Sequence, residues 1–185
     1  MRFQSNSVSA LQTIQTLLGI PPPVTSGGTQ YYTDPLGDIW VANPGIYGGS
    51  WNRAEDVLWA RVYRSVTYTT PAGGAQNFPY DTVNRDPFGI VALPGITLPL
   101  IGLWSCFAAI QVANANGRQY MYIASQLIFD YNNQNFNAST TMAGAVEAMS
   151  NGASTCYVLF STAVAGAVTL TNTATWLQVR FIGPG

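Results

Sequence analysis

The only acids available for chemistry are Asp34, Asp38, Glu55, Asp56, Asp81, Asp86, Asp130 and Glu147. Hydrolysis of a glycosidic bond needs two carboxylates a few ångströms apart in a cleft. Asp81 and Asp86, in FPYDTVNRDPFG, are the one close pair in the long C-terminal part of the chain. They flank a turn, where Asp commonly accepts hydrogen bonds from nearby backbone amides. The spacing therefore predicts that Asp86 caps the NRDPFG turn and that Asp81 bonds local backbone. There is no His, which removes Ser-His-Asp and Cys-His catalysis and the commonest metal ligand. No glycine-rich phosphate loop follows a strand and opens a helix. The reading is a protein that is not an enzyme, with no catalytic residues, no cofactor and no metal.

Other polar clusters point the same way. DYNNQN (130–135) offers Asp130, Asn132 and Asn133 as oxygens but lacks the Gly and distal Glu of a calcium loop, so it reads as a turn. Cys106 and Cys156 sit inside apolar runs, with no CxxC and no metal spacing. They read as two buried thiols, with a disulfide between neighbouring strands as the alternative. The seven cations are Arg2, Arg53, Arg61, Arg64, Arg85, Arg118 and Arg180, scattered along the sequence. Nucleic-acid binding needs clustered cations, so that partner is excluded. No stretch reaches 18 apolar residues, so no membrane span is expected. The segment from Val8 to Ile20 is interrupted by Ser, Gln and Thr and does not read as a secretory signal.

Side chains of this kind need a scaffold, and the composition limits which. The 185 residues are 48% hydrophobic and 12% aromatic, yet only 8% charged, with a net charge of −1. High apolar content excludes disorder. A sparsely charged surface near neutrality tends to associate, so an oligomer or assembly component is expected.

The chain reads as three parts. Residues 1–27 are an anchor helix and a linker. Val8, Leu11, Ile14, Leu17 and Leu18 recur at three- and four-residue steps, and Gly19 with the triple proline 21–23 ends the pattern. A helix this short needs something to dock on, and the PPPVTSGG linker favours another protein or another copy. Residues 28–60 are a small aromatic hairpin unit, with TDPLGD as the turn between TQYY and DIWVA. Its aromatics, Trp40, Tyr47, Trp51 and Trp59, read as packing rather than a ligand cage. In residues 61–185, eight or more short alternating strands separated by turns indicate an antiparallel sandwich or barrel.

Within that part, F-P-Y-D-T-V-x-x-D followed by G-I-T-L-P-x-x-G-x-W resembles the tumour necrosis factor/complement-1q globular-head superfamily. The residues concerned are Phe78, Asp81, Thr82, Ile96, Pro99, Gly102 and Trp104. GRQYMYI (117–123) and TWLQVRFIG (175–183) resemble the following and closing strands of that family. The resemblance covers about 61–185. It implies an all-β antiparallel jelly-roll sandwich that assembles as a homotrimer through apolar, aromatic-rich faces. Trp104, Phe107, Ile110, Tyr120, Tyr122, Tyr157, Leu159 and Phe160 are the expected trimer interface and core.

TDPLGDIWVANPGIYGGSW resembles the small β-hairpin units that bacteriophage minor tail and fibre proteins place before a receptor-binding tip. This implies a structural virion protein assembled in the bacterial host cytoplasm. Its anchor residues would be Val8, Leu11, Ile14 and Leu18, docking on other virion proteins. The turn-rich positions Asn84, Arg85, Asn116, Asn132, Asn133 and Asn135 are the candidate contacts to the host surface, with host-wall glycan as the ligand. The alternatives are a capsid decoration or head-fibre protein, and a soluble glycan-binding lectin.

Overall fold

A computed structural model describes residues 28–43, 50–70, 73–112, 117–124, 129–136, 140–162, 166–168 and 174–184. The expected helix with Val8, Leu11, Ile14 and Leu18 lies outside the described residues, as do Tyr47 and Asn116. The chain divides into two compact units, one ending at Leu58 and one spanning Trp59–Gly183.

In the first unit, β1 (Gln30–Thr33) and β2 (Ile39–Ala42) form the expected hairpin. A third short strand, β3 (Asn52–Arg53), pairs with Trp40 and Val41 and leads into the single-turn α1 (Ala54–Val57). Asp34 organises the TDPLGD turn. Its Oδ1 accepts the amides of Leu36 and Asp38, each at 2.9 Å, and its Oδ2 accepts Trp40 Nε1 at 3.2 Å. Gly37 supplies the turn's left-handed residue, with φ of 90°. Burial works to raise the Asp34 carboxyl, but these donors outweigh it and hold it below the usual carboxylate range. Arg53 pairs with Asp38 at 2.7 Å and lies over the Trp40 ring, while Tyr32 and Trp51 pack at 6.2 Å.

The second unit is an antiparallel sandwich. Its strands are β4 (Trp59–Tyr63), β5 (Tyr68–Thr70), β6 (Gly73–Asn77), β7 (Thr82–Arg85), β8 (Val91–Ala92), β9 (Gly95–Leu98), β10 (Ile101–Val112), β11 (Gly117–Ala124), β12 (Phe129–Phe136), β13 (Thr140–Asn151), β14 (Ser154–Thr162), β15 (Gly166–Val168) and β16 (Trp176–Gly183). One sheet runs β13-β10-β16-β4-β7. The other runs β12-β11-β14-β9-β8, with β6 also on β14, and β5 pairs with β15 apart. Successive side chains on a strand point to opposite faces, so every second residue can enter the space between sheets. On β14 the burial alternates without a break from Ser154 to Thr162.

The interior is filled from both sides. Trp104, Cys106, Ala108, Ile110, Leu177, Val179, Phe181 and Val62 come from one sheet; Ile96, Leu98, Met121, Ile123, Cys156, Val158 and Phe160 from the other. Trp104 packs on Phe181 at 5.2 Å, and its Nε1 donates to Leu100 O at 3.1 Å, so the buried indole is satisfied. A Cβ on Gly144 would meet Met121 and Ile123 at van der Waals distance, which measures how closely the two sheets approach.

Several loops fall where the sequence puts them and others do not. Asp86 caps its turn: Oδ1 accepts Ile90 N at 2.7 Å and Oδ2 accepts Val91 N at 2.9 Å. That turn begins at Asp86, so Asn84 and Arg85 belong to β7, where Arg85 is paired with Arg61. The β8–β9 hairpin turns through a cis Leu93–Pro94 bond. Gly95 then passes so close to β14 that a Cβ there would meet Cys156 O at 2.8 Å. DYNNQN is not a turn. It is the middle of β12, paired with β11 from Gly117↔Phe136 to Ala124↔Phe129. An unbroken ladder on β11 outweighs the weak local turn preference of Asn, so Asn132, Asn133 and Asn135 are mid-strand residues.

Candidate functional site

The strand register sorts the outward positions of the five-stranded sheet into rows. One runs Ala143, Ala109, Trp176, Tyr63; the next Ala145, Phe107, Gln178, Arg61, Arg85; the third Glu147, Ser105, Arg180, Trp59. The rows have two ends of different character. Towards β13 and β10 the face is apolar: Phe107 is 36% exposed, Met149 41% and Ile101 69%, with Leu103 half-buried between them and Ile182 of β16 adding a further 41%. Towards β4 and β7 it is cationic and aromatic. Arg61 lies over the Trp176 ring at 4.6 Å and Arg85 over Trp59 at 4.3 Å. Arg61 Nε is shielded from solvent without a hydrogen-bond partner, so the ring face is what compensates its charge.

Arg61, Arg85 and Arg180, far apart in sequence, thus converge on three adjacent strands. Scattering along the chain did not mean scattering in space. They form a small patch embedded among tryptophans.

The expected interface and core residues separate into three places. Trp104, Ile110 and Phe160 are buried inside the sandwich, where no partner subunit can touch them. Phe107 is on the outer face of the five-stranded sheet. Tyr120, Tyr122, Tyr157 and Leu159 are half-buried on the outer face of the other sheet, where Tyr122 stands opposite Leu159 and the Tyr120 and Tyr122 rings stack at 6.4 Å and 13°. One flat contact cannot use Phe107 and the tyrosines together. Sequence reasoning missed Leu103, Met149, Trp59 and Trp176 as members of the first face. Alternation along β10 and β13 held that signal, but only the register joins the strands.

Asp81 sits at the entrance to β7 and ties down the loop after β4. Its Oδ1 accepts Ser65 N at 2.9 Å and the Thr82 hydroxyl at 2.8 Å, and its Oδ2 pairs with Arg64 Nη1 at 2.9 Å. Arg64 also donates to Pro79 O at 2.8 Å. Burial works to raise this carboxyl, and the Ser65 and Thr82 donors with the Arg64 charge hold it below its usual range. A carboxylate so engaged is fixed as scaffold. Cys106 and Cys156 are free thiols sealed in the core, from opposite sheets. The hydrogen bond between them, then burial, pushes the Cys156 thiol well up. Among the described residues no group of three or more His, Cys, Asp or Glu side chains could hold a metal ion.

No protein-family model matches the chain, and no curated protein matches it by sequence. Solved structures do match in shape. The globular domain of zebrafish complement 1qA superposes with a TM-score of 0.54 at 11% identity, covering 69% of this chain and 98% of that domain. The Eiger TNF of S. frugiperda gives 0.52 at 8% identity, covering 69% and 93%. Murine APRIL at pH 5.0 gives 0.51 at 10% identity, covering 65% and 95%. At these identities the likeness is one of fold: the chain carries the antiparallel jelly roll of the complement-1q and tumour necrosis factor globular heads.

Proposed function

We propose that the chain is a structural virion protein of a bacteriophage, a homotrimeric minor tail or fibre-type component. Its jelly roll would be displayed on the particle, and residues 1–27 would dock on another virion protein. One observation carries the trimeric part: the apolar stripe of Phe107, Leu103, Met149, Ile101 and Ile182 on one sheet face. Large apolar side chains grouped on a surface mark a contact, and a specific contact covers about 800 Å² per partner. The phage setting rests on the tail-like hairpin sequence and on the order of anchor, linker, hairpin and head. A capsid decoration or head-fibre protein would use the same assembly.

The six-stranded sheet's outer face suits display. The stacked Tyr120 and Tyr122 rings, with Tyr157 beside them, join apolar area to hydroxyls, as a surface for host-wall glycan requires. Three copies would multiply weak sugar contacts through avidity.

Sedimentation equilibrium of the purified chain tests the assembly; a trimer is expected and a stable monomer at micromolar concentration overturns it. Electron microscopy of particles carrying a tagged chain tests the setting. Density at the tail in multiples of three is expected; density spread over the capsid would turn the reading to decoration, and none on the particle would end it. Deleting residues 1–27 should leave a trimer that no longer incorporates, and normal incorporation would sink the anchor.

A further inference from the structure

Cys106 of β10 and Cys156 of β14 project into the sandwich from opposite sheets, both fully buried, and their thiols are in hydrogen-bond contact. The sheets are drawn together on either side of them. On one side stands Gly144, paired with Ala108 two residues from Cys106; Met121 and Ile123 of β11 come within ordinary contact of its missing side chain. On the other side the Ser150 hydroxyl crosses between the sheets and donates to Leu98 O at 2.9 Å. Leu98 is paired with Ser154, two residues before Cys156. The two thiols are thus held facing each other between two points where the sheets are fixed. Tyr80 lies near Cys156, but its hydroxyl donates to Trp176 O at 3.2 Å. A disulfide needs its sulfurs at about 2 Å, a small further approach for thiols already in contact.

We propose that Cys106 and Cys156 form a redox-set staple: with a small-molecule disulfide such as oxidised glutathione, they close to a disulfide that joins the two sheets of one jelly roll. One cysteine thiolate attacks the glutathione disulfide, forming a mixed disulfide and releasing one glutathione thiolate. The second cysteine, as its thiolate, attacks the cysteine sulfur of the mixed disulfide and releases the other. The two cysteines give up two electrons and two protons, and oxidised glutathione takes them up as two reduced glutathiones. Only the thiolate reacts. In the closed sandwich the hydrogen bond to Cys106, then burial, push the Cys156 thiol well up. Exchange therefore waits for the sandwich to open, and the redox setting during folding or transient opening decides whether the staple is set. Once set, it closes a loop of about 50 residues and restricts the unfolded chain. The pair works within one copy, so it stands whether or not the chain trimerises.

Incubating the reduced full chain with oxidised glutathione, with and without urea below the unfolding transition, tests the staple. Mass spectrometry after unfolding in an alkylating agent should show a single chain lighter by two hydrogen atoms, with the Cys106 and Cys156 peptides joined. Closure should be about tenfold or more faster in urea, because opening exposes the thiols. The joined chain should melt about 5 °C or more above the reduced one. A chain that keeps both thiols open to alkylation, ends as a glutathione adduct, or links to another copy overturns the staple. A joined chain that melts no higher than the reduced parent does the same, and equal rates with and without urea refute control by opening. Cys106→Ala should show no change in melting with glutathione; an upward shift as large as the parent's assigns the effect elsewhere. If Cys106→Ala does not fold, melting the joined parent with dithiothreitol decides: the midpoint should return to that of the reduced chain, and an unchanged midpoint overturns the staple.

Discussion

The two outer faces of the jelly roll are covered by different kinds of large side chain. The six-stranded sheet presents Tyr120, Tyr122 and Tyr157 with Thr155 and Ser161 between strands. The five-stranded sheet presents Phe107, Leu103, Met149 and Ile182, and at its far end tryptophans roofed by arginines. A tyrosine hydroxyl keeps a hydrogen-bonding end in water, so a tyrosine face can stay wet. Phe, Met and Ile have no such end, and each exposed side chain forgoes about 25 cal/mol per Å² of apolar area. Two sheets of one fold therefore have different needs: one tolerates solvent, while the other is relieved by cover.

That contrast can be broken at several points. Strand β10 carries the five-stranded sheet's outer face on one side and the core on the other, and the core side should give the largest change. Trp104→Ala removes a buried indole packed on Phe181 and should cost about 3–5 kcal/mol of unfolding free energy, measured by urea denaturation. Phe107→Arg, three residues on, should leave the circular dichroism unchanged but weaken self-association about thirtyfold or more, as expected for the centre of a contact. Tyr122→Arg on the opposite face should shift association by less than about threefold. A larger effect of Tyr122→Arg than of Phe107→Arg would exchange the roles of the faces. Gly95→Ala forces β9 away from β14, because the new methyl meets a backbone carbonyl; about 1–3 kcal/mol of destabilisation is expected.

A smaller loss of stability is expected at Asp81. Asp81→Asn removes the Arg64 pair and weakens the Ser65 cap, at about 1–2 kcal/mol. Asp34 and Asp81 both have lowered carboxyls in the folded chain. Each therefore contributes stability that is complete above the ordinary carboxylate range, about pH 4, and is lost as pH falls through the folded value. Acid denaturation curves should show this loss below about pH 4, and Asp81→Asn should flatten it. A variant that loses stability as steeply as the parent would remove Asp81 from that account.

Much of the fold was legible because strands announce themselves by alternation. β10, β13, β14 and β16 stand close to where period-two patterning puts them, and the Asp86 cap follows from Asp-Pro-Phe-Gly alone. The failures have physical causes. DYNNQN has the composition of a turn, yet all six of its residues find partners on β11. Asn84 and Arg85 look like loop residues only if Arg61, more than twenty positions earlier, is ignored. The surface was harder still. Phe107 and Trp104 are both large residues in one apolar run, and only parity tells which faces inward. The cationic cluster was invisible because no linear pattern links Arg61, Arg85 and Arg180; sheet order alone brings them together.

Strand β13 closes its sheet on one side, since the order begins there. Over its twelve residues, TTMAGAVEAMSN, the sole charge is Glu147. An edge strand of this length with so little charge is a template for unwanted pairing, and a single carboxylate acts as its gatekeeper. The consequence is a matter of timing during synthesis. In the proposed assembly, copies that met their neighbours late would accumulate with that edge on offer, and Glu147→Gln or Glu147→Ala chains should turn turbid sooner in concentrated lysate than the parent.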